Sequence, residues 1–296
     1  MTQKSRAELV LFCMTLIWGS TFVLGKIVLR EMPPLQMIAI RFVFSTVVIF
    51  LAAFRSIFPL RLDQLRKGFF LGLFLFLGFV PQTIGLTITS ASKSAFITGM
   101  MVVFVPLLQI IIERKPPKLG NLAGVVCVVA GLWFLTSPAG SSFNLGDGLS
   151  LVCAALFGVY IVYLDVISND MSPAQLTFIQ VSTNAILSII AMVFFESAPL
   201  HLSWTGGATL VYLAVFATLL TTFMQTRFQK FTTPTRAVII FTIEPVFASL
   251  IAALVLGEQL GVLGILGGAL IIAGVLVSEL SEGIPMLNRS LGATDS

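Results

Sequence analysis

A chain of 296 residues with 57% hydrophobic and only 10% charged side chains, at a mean hydropathy of +1.04, lacks the polar exterior of a water-soluble globule. The net charge of +4 reflects 17 Lys and Arg against 13 Asp and Glu, and the basic residues fall mainly in short loops. The excess therefore argues orientation in a membrane rather than nucleic-acid binding.

Ten apolar segments follow one another, each with roughly the 17 to 25 residues a helix needs to cross ~30 Å of hydrocarbon and none with the period-two alternation of a barrel strand. The first, Leu9–Leu29, carries Trp18 beside Gly19, then Ser20 and Thr21, with Lys26 placed to snorkel at its end. It lacks an A-x-A cleavage site and is too long for a signal peptide, so it reads as a retained helix. The second, Leu35–Phe54, carries Arg41, suited to an anionic group or to a structural interhelical anchor. Gly68–Thr87 contains Pro81 and Gln82, and Ser94–Ile112 contains Thr98 and Pro106. Leu119–Thr136 presents Gly124 and Gly131 on one face, with a G-x-x-x-G at Gly120 and Gly124. In Asp147–Val166, Phe157, Tyr160 and Tyr163 share an i, i+3, i+6 face that could wall a cavity or simply pack. Ala174–Phe195 is followed by Gly207–Phe228, which carries Gln225.

Ala237–Leu256 holds Glu244 directly before Pro245, which removes a backbone hydrogen bond; a carboxylate beside a broken helix suits a proton or an ammonium group, or a structural partner. Gly261–Leu280 repeats the glycine pattern with Gly264, Gly267, Gly268 and Gly274, a small face suited to a static helix contact within the bundle or at a dimer interface, of which the intramolecular contact is preferred. Pro81, Pro106 and Pro245 are candidate kinks and hinges. Counting ~1.5 Å per residue leaves Arg41 and Glu244 ~10 Å apart in depth, so separate roles or a bridging solute are expected rather than a direct pair.

The ten segments form two sets of five. Gly19 and Gly158, Met32 and Met171, Pro34 and Pro173, Gln36 and Gln175, and Pro106 and Pro245 each differ by 139 positions; Gln82 and Gln225, Lys93 and Arg236, Gly124 and Gly267, and Gly131 and Gly274 differ by 143. Five is odd, so the halves cross the membrane in opposite directions, and the expected fold is an all-α polytopic bundle of ten transmembrane helices in two inverted-topology repeats. The repeats are expected at 8–137 and 146–280, with a flexible cytoplasmic tail at 281–296. Lys4, Arg6, Arg55, Arg61, Arg66, Lys67, Arg114, Lys115, Lys118, Arg227, Lys230, Arg236 and Arg289 lie on the side of the termini, against Arg30 and Lys93 opposite, which places both termini in the cytoplasm. The loop Asp165–Ser172 offers no basic residue to support this.

Three stretches, IWGSTF in the first segment, TSASKSAFITGMMVVFVPLL in the fourth, and IIFTIEPVFASLIAALVLGEQL running into ILGGALIIAGVL, resemble the drug/metabolite transporter superfamily in its EamA-type ten-helix branch. The resemblance covers Glu8 to Leu280 and implies a secondary transporter of the cytoplasmic (inner) membrane, often an exporter of amino acids or related metabolites; nucleotide sugars and drugs are alternatives within the superfamily. Substrate-binding candidates are Trp18, Ser20, Arg41, Gln82, Thr98, Tyr160, Tyr163, Gln225 and Glu244, and the helices expected to line the cavity are one, three, four, six, eight and nine.

Other classes fit poorly. The only histidine is His201 in an outer loop, and neither H-E-x-x-H nor G-x-S-x-G occurs, so no enzyme is expected. Gly19 to Lys26 mimics a phosphate loop but has five residues between its glycines and Ile27 where Ser or Thr belongs, which excludes ATP-driven pumping by this chain alone. Cys13, Cys127 and Cys153 fall inside spans without metal-ligand spacing and read as packing residues. No metal or cofactor is expected, the expected partners are the lipid bilayer and a small-molecule substrate, and monomer and homodimer both stay open. A channel is the remaining rival.

Overall fold

A computed structural model of the chain describes residues 2–114, 116–136, 143–196, 202–258 and 261–281, and the regular elements among them are helices. Lys115, His201, Arg289 and the tail beyond Ser281 lie outside the described residues. The ten helices are α1 Gln3–Val28, α2 Pro34–Ile57, α3 Leu62–Ile88, α4 Ala91–Glu113, α5 Leu119–Thr136, α6 Leu145–Ile167, α7 Pro173–Phe195, α8 Trp204–Phe231, α9 Pro234–Leu256 and α10 Val262–Leu280. Eight are long and apolar enough to span a membrane, while α5 and α10 carry shorter apolar runs, Leu119–Phe134 and Val262–Ser278.

Local chemistry sets where they begin. Ser90, Asn144, Ser172, Ser203 and Thr233 each accept a backbone N–H of the first turn of α4, α6, α7, α8 and α9. Pro34, Pro173 and Pro234 open α2, α7 and α9, where no N–H is required. Gly257 ends α9 at φ 69°, a left-handed conformation that glycine adopts without a Cβ penalty.

The packing is symmetric under exchange of helix n with helix n+5. The pairs α2–α7, α4–α9 and α5–α10 map onto themselves, α3–α6 maps onto α1–α8, α1–α9 onto α4–α6, and α3–α7 onto α2–α8. Glycines mark the closest approaches. A Cβ on Gly19 would lie 2.7 Å from Phe247 Cβ across α1–α9, and one on its repeat-mate Gly158 would lie 3.2 Å from Phe104 Cβ across α4–α6. The seven-residue glycine faces of α5 and α10 meet each other: a Cβ on Gly124 would stand 2.8 Å from the carbonyl of Gly274, and one on Gly131 2.7 Å from that of Gly267. The small-residue faces thus form a contact within the bundle, the arrangement that close backbone approach in lipid favours.

Ion pairs follow the same symmetry. On the face that holds the N-terminus, Glu8 of α1 pairs with Arg236 of α9 and accepts from Thr232 at 3.3 Å. On the opposite face the repeat-mates do the same, with Asp147 of α6 paired to Lys93 of α4 and accepting from Thr89 at 2.6 Å. The loop after α6, which lacks basic residues of its own, places Asp170 against Lys67 of α3. At one end of the α2–α7 pair Glu196 accepts the N–H groups of Leu35 and Gln36 at 3.0 and 2.8 Å; at the other, Gln175 Nε2 donates to the carbonyls of Ile57 and Pro59 at 3.1 and 3.0 Å. Such partners satisfy helix-end groups that lipid cannot.

Among the described residues four helices depart from regularity: α2 kinks at Ala53 (φ −127°, ψ 18°), and α4, α8 and α9 are interrupted. α4 breaks at Met100, between Ala91–Gly99 and Met101–Glu113, and α9 breaks at Thr242 and Ile243, between Pro234–Phe241 and Glu244–Leu256. The two breaks lie at repeat-equivalent positions. α8 contains a π-helical stretch, Val215–Leu220, that the hydrophobic pattern did not disclose. Of the three candidate hinge prolines, Pro245 begins the second half of α9, Pro106 lies within the second half of α4 downstream of its break, and Pro81 lies inside the continuous α3.

Candidate functional site

A cavity of about 80 Å³ lies in the bundle where α1, α2, α3, α4, α6, α8 and α9 converge, and no described residue of α5, α7 or α10 reaches its wall. On the order of five water molecules would fill such a space. Its lining is built from repeat-mates: Trp18 with Phe157, Thr21 with Tyr160, Phe79 with Thr222, Gln82 with Gln225, Thr98 with Phe241, and Met101 with Glu244. The cavity therefore straddles the pseudo-twofold relation between the halves, where inverted-repeat transporters place their sites.

Arg41 lines it from α2 and is 5% exposed. Its Nε donates to Thr218 Oγ1 and its Nη2 to the carbonyl of Ala217 at 3.2 Å, both in the π-helical stretch of α8. A π-turn makes its carbonyls less regularly matched, which leaves acceptors for a guanidinium; Thr218 itself donates to the carbonyl of Leu213 five residues back, at 2.9 Å. The guanidinium carbon also lies 4.9 Å from the centre of the Phe79 ring, a cation–π arrangement. These contacts fix the guanidinium's orientation while leaving part of it on the cavity wall.

Glu244, 8% exposed, enters from the break in α9 as the first residue of its second half. Among the described residues neither a hydrogen bond nor an ion pair to its carboxylate is found, and it does not pair with Arg41. The break explains its place: residues at the start of a half-helix face the gap left by the missing turn, and the positive end of the helix dipole favours an anionic side chain there.

The remaining polar groups are held in register by neighbours. Trp18 Nε1 donates to Thr221 Oγ1 at 3.0 Å, and its ring meets that of Phe241 edge-on with centroids 5.1 Å apart. Gln82 Nε2 reaches Thr98 Oγ1 at 3.5 Å. Tyr160 donates to Gln180 Oε1 at 2.8 Å, and Gln180 donates onward to Thr226 at 3.0 Å. Gln225 donates to Gln229 at 2.9 Å, which in turn donates to the carbonyl of Ile161 at 2.8 Å.

Of the residues expected from sequence at the cavity, Trp18, Arg41, Gln82, Thr98, Tyr160, Gln225 and Glu244 line it; Ser20 and Tyr163 do not. Ser20 donates to the carbonyl of Ile17 and shares a hydrogen bond of 3.1 Å with the Tyr212 hydroxyl, so its neighbour Thr21 faces the cavity instead. One position along a helix is a rotation of about 100°, a step that an unaligned polar pair does not resolve. Tyr163 has turned away to meet Phe74 edge-on at 5.8 Å, because an i, i+3, i+6 stripe drifts round the helix and its third member leaves the face. Phe79, Met101, Thr222 and Phe241 were not singled out from sequence; the repeat offset of 143, applied to the candidates Thr98 and Glu244, points to Phe241 and Met101, whereas Phe79 and Thr222 are mates of each other and no candidate leads to them.

Comparison with known proteins agrees with this architecture. The EamA-like transporter family model matches residues 5–137 and again 144–280. An uncharacterized transporter of Archaeoglobus fulgidus is 34% identical over 274 residues, spanning 93% of this chain and 86% of that protein. The uncharacterized transporter YoaV of Bacillus subtilis is 24% identical over 291 residues, 93% of this chain and 97% of its own, and the uncharacterized inner membrane transporter YedA of Escherichia coli K12 is 26% identical over 278 residues, 90% and 89%. A solved crystal structure superposes with a TM-score of 0.77 at 18% identity, covering 94% of this chain and 97% of the other, which establishes the shared fold. With both halves matched and the ten-helix bundle formed, the chain belongs to the EamA-like transporter family, a family of multi-pass membrane transporters and not of enzymes.

Proposed function

We propose that the protein is a secondary carrier that exports amino acids or related small metabolites by alternating access around the central cavity. The observation that carries this reading is the charge layout of the wall: one guanidinium, Arg41, and one carboxylate, Glu244, share a single small cavity without pairing with each other. A zwitterion with a carboxylate at one end and an ammonium at the other complements that layout, and each buried charge then gains the partner that a low-dielectric site demands. Trp18, Gln82, Thr98, Tyr160 and Gln225 supply the polar and aromatic contacts that fix orientation. The interrupted α4 and α9, with Pro106 and Pro245, and α3 with Pro81, are the elements about which the halves would move. The repeats at 8–137 and 146–280 and the tail 281–296 lie so that both termini face the cytoplasm across the inner membrane. The distribution of Lys and Arg supports this orientation, as does the inner-membrane relative.

The aromatic share of the lining, Trp18, Phe79, Phe157, Tyr160 and Phe241, favours a second reading, a planar solute such as a nucleotide sugar or an aromatic drug. Counterflow in proteoliposomes separates the readings. Vesicles loaded with amino acids, nucleotide sugars or aromatic cations should show saturable, trans-stimulated exchange of labelled amino acids, with the exchange lost in Glu244→Gln and in Arg41→Gln. Exchange confined to the nucleotide-sugar or drug pool would replace the first reading with the second, and ion currents without trans-stimulation would replace both with a channel.

A further inference from the structure

A second cavity, of about 290 Å³, opens on the face that holds the N-terminus, away from the central site, and four cationic side chains line it: Lys4 of α1, Lys118 before α5, Lys230 at the end of α8 and Arg236 of α9. No carboxylate is part of its described lining; Glu8 lies behind it, within ion-pair reach of Lys4 and Arg236. Asn121 and Thr233 add neutral polar atoms, and Asn121 is held by a 3.0 Å hydrogen bond from Ser278. The N-termini of α5 and α9 border the same space and so does the C-terminus of α8, so the helix ends together add the positive end of about one dipole to the four cations.

The Glu8–Arg236 latch does not by itself call for this charge. Its counterpart on the opposite face, Asp147–Lys93, has the same geometry, yet the repeat-equivalents of Lys4, Lys118 and Lys230 are Phe143, Gly261 and Thr87. The three lysines are therefore an addition at one face only. Their position is that of the membrane interface: Lys118 directly precedes the exposed apolar Leu119 that opens α5, and Phe231 lines the same cavity as Lys230.

We propose that this cavity binds the phosphate of an anionic phospholipid headgroup, with Lys118 and Lys230 as its adjustable clamps and Arg236 as its fixed floor. Phosphate chemistry suits a cluster of convergent ammonium and guanidinium donors beside helix N-termini, and basic pockets between transmembrane helices at the interface take such headgroups. The neighbouring apolar side chains favour the lipid over free phosphate as the source, since only the lipid brings acyl chains to cover them.

The test uses the full chain in nanodiscs of phosphatidylcholine carrying graded phosphatidylglycerol, with retained lipid counted by native mass spectrometry. Phosphatidylglycerol should be retained well above its mole fraction. Each of Lys118→Gln and Lys230→Gln should lower that retention about fivefold, and the pair roughly twenty-fivefold, with phosphatidylcholine retention unchanged. The charge-preserving Lys118→Arg and Lys230→Arg should retain it, and they serve as the folded controls alongside the single Gln variants. Retention that follows bulk composition in the wild type, or that survives in the double Gln variant, would overturn the proposal. Stabilisation by inorganic phosphate in pure phosphatidylcholine, with no preference for phosphatidylglycerol, would overturn the lipid source and leave a free-anion site.

Discussion

Gly19→Ala tests whether the fold positions the proposed site in the way described. Gly19 sits where α1 crosses the start of the second half of α9, and an added Cβ would meet Phe247 Cβ at 2.7 Å and both the carbonyl of Glu244 and the N–H of Ala248 at 3.0 Å. Carbon contacts are comfortable at ~3.5–4.0 Å, so the half-helix must retreat by roughly 1 Å. Because two of the three contacts are backbone, no rotamer change relieves them, and the displacement carries Glu244 with it. Overpacking of this kind costs about 1–3 kcal/mol, which corresponds to a fall in Tm of roughly 2–10 °C for a chain of this size. A 1 Å misplacement of a reacting group can cost about two orders of magnitude at an enzyme centre; a loss of at least roughly tenfold in counterflow rate is expected here, beyond what the lost stability explains. The repeat-mate supplies the control. At Gly158 the added Cβ would meet Leu108 Cδ1 at 3.1 Å, the far end of a side chain that can yield, and Phe104 Cβ at 3.2 Å, an overlap of a few tenths of an ångström rather than the 2.7 Å and paired backbone contacts at Gly19, and neither Arg41 nor Glu244 lies on the helix segment that must give. Gly158→Ala should therefore retain most transport. Equal effects of the two substitutions, or wild-type exchange by Gly19→Ala at normal expression, would refute the argument that the α1–α9 crossing sets the position of Glu244.

Other expectations follow from the same geometry. Thr218→Val removes an acceptor from Arg41 while preserving shape, and should cost about 1.5–3 kcal/mol of stability and weaken substrate binding more than it slows exchange, read as KM against maximal rate. Lys93→Gln leaves the fully buried Asp147 without its ionic partner; breaking a buried pair costs roughly 3–5 kcal/mol, somewhat less here because Lys93 is partly exposed, and Lys93→Arg should recover most of it in a thermal melt. Gly131→Ala should destabilise the α5–α10 contact by about 1–3 kcal/mol without altering substrate selectivity, since neither helix reaches the central cavity. Glu31, outside the spans, accepts from Ser203 N–H at 2.8 Å and Ser203 Oγ at 2.7 Å, and these bonds hold its carboxyl below the usual value of 4.5. A depressed carboxyl pKa stabilises fully above the unfolded value and loses that contribution as pH falls through the folded one. The melting difference between wild type and Glu31→Gln should therefore be constant from pH 8 to about 5.5 and shrink below about 4.5; a difference that grows on acidification would contradict it.

Much of the architecture was legible in the chain because lipid enforces it. Spans announce themselves by length and hydropathy, and the seven-residue glycine spacing of α5 and α10 predicted a close contact that the helices make with each other. What was hidden lies where a helix departs from regularity. The π-helical stretch Val215–Leu220 has the composition of any apolar span, yet it supplies both acceptors of Arg41 and shifts the facing of every residue after it. The break at Met100 in α4 lies upstream of Pro106, so the proline that drew attention does not mark it. Supporting groups such as Gln180 and Gln229 were missed because a buried polar residue on a helix does not state which of its neighbours it serves.

The repeat also shows how a nearly symmetric fold yields a directional site. Inverted halves impose matched surroundings on matched positions, and the six mated pairs on the cavity wall are the result. A substrate with distinct ends needs the opposite, a wall that differs from one side to the other. The charged residues fall where the halves diverge: Arg41 stands opposite Gln180 in the repeat, and Glu244 opposite Met101. The backbone diverges at the same place, since the α8 segment that holds Arg41 is π-helical while its equivalent in α3 continues as a regular α-helix. Symmetry of the scaffold would let the halves exchange conformations at little cost, while asymmetry of side chain and backbone orients the solute between them. On this argument Met101→Glu, which would place a second carboxylate at the equivalent position, should lower exchange of a zwitterion and favour dicationic solutes, and competition by diamines against labelled amino acid measures it. Unchanged preference would mean that the divergence between the halves at these positions does not set selectivity.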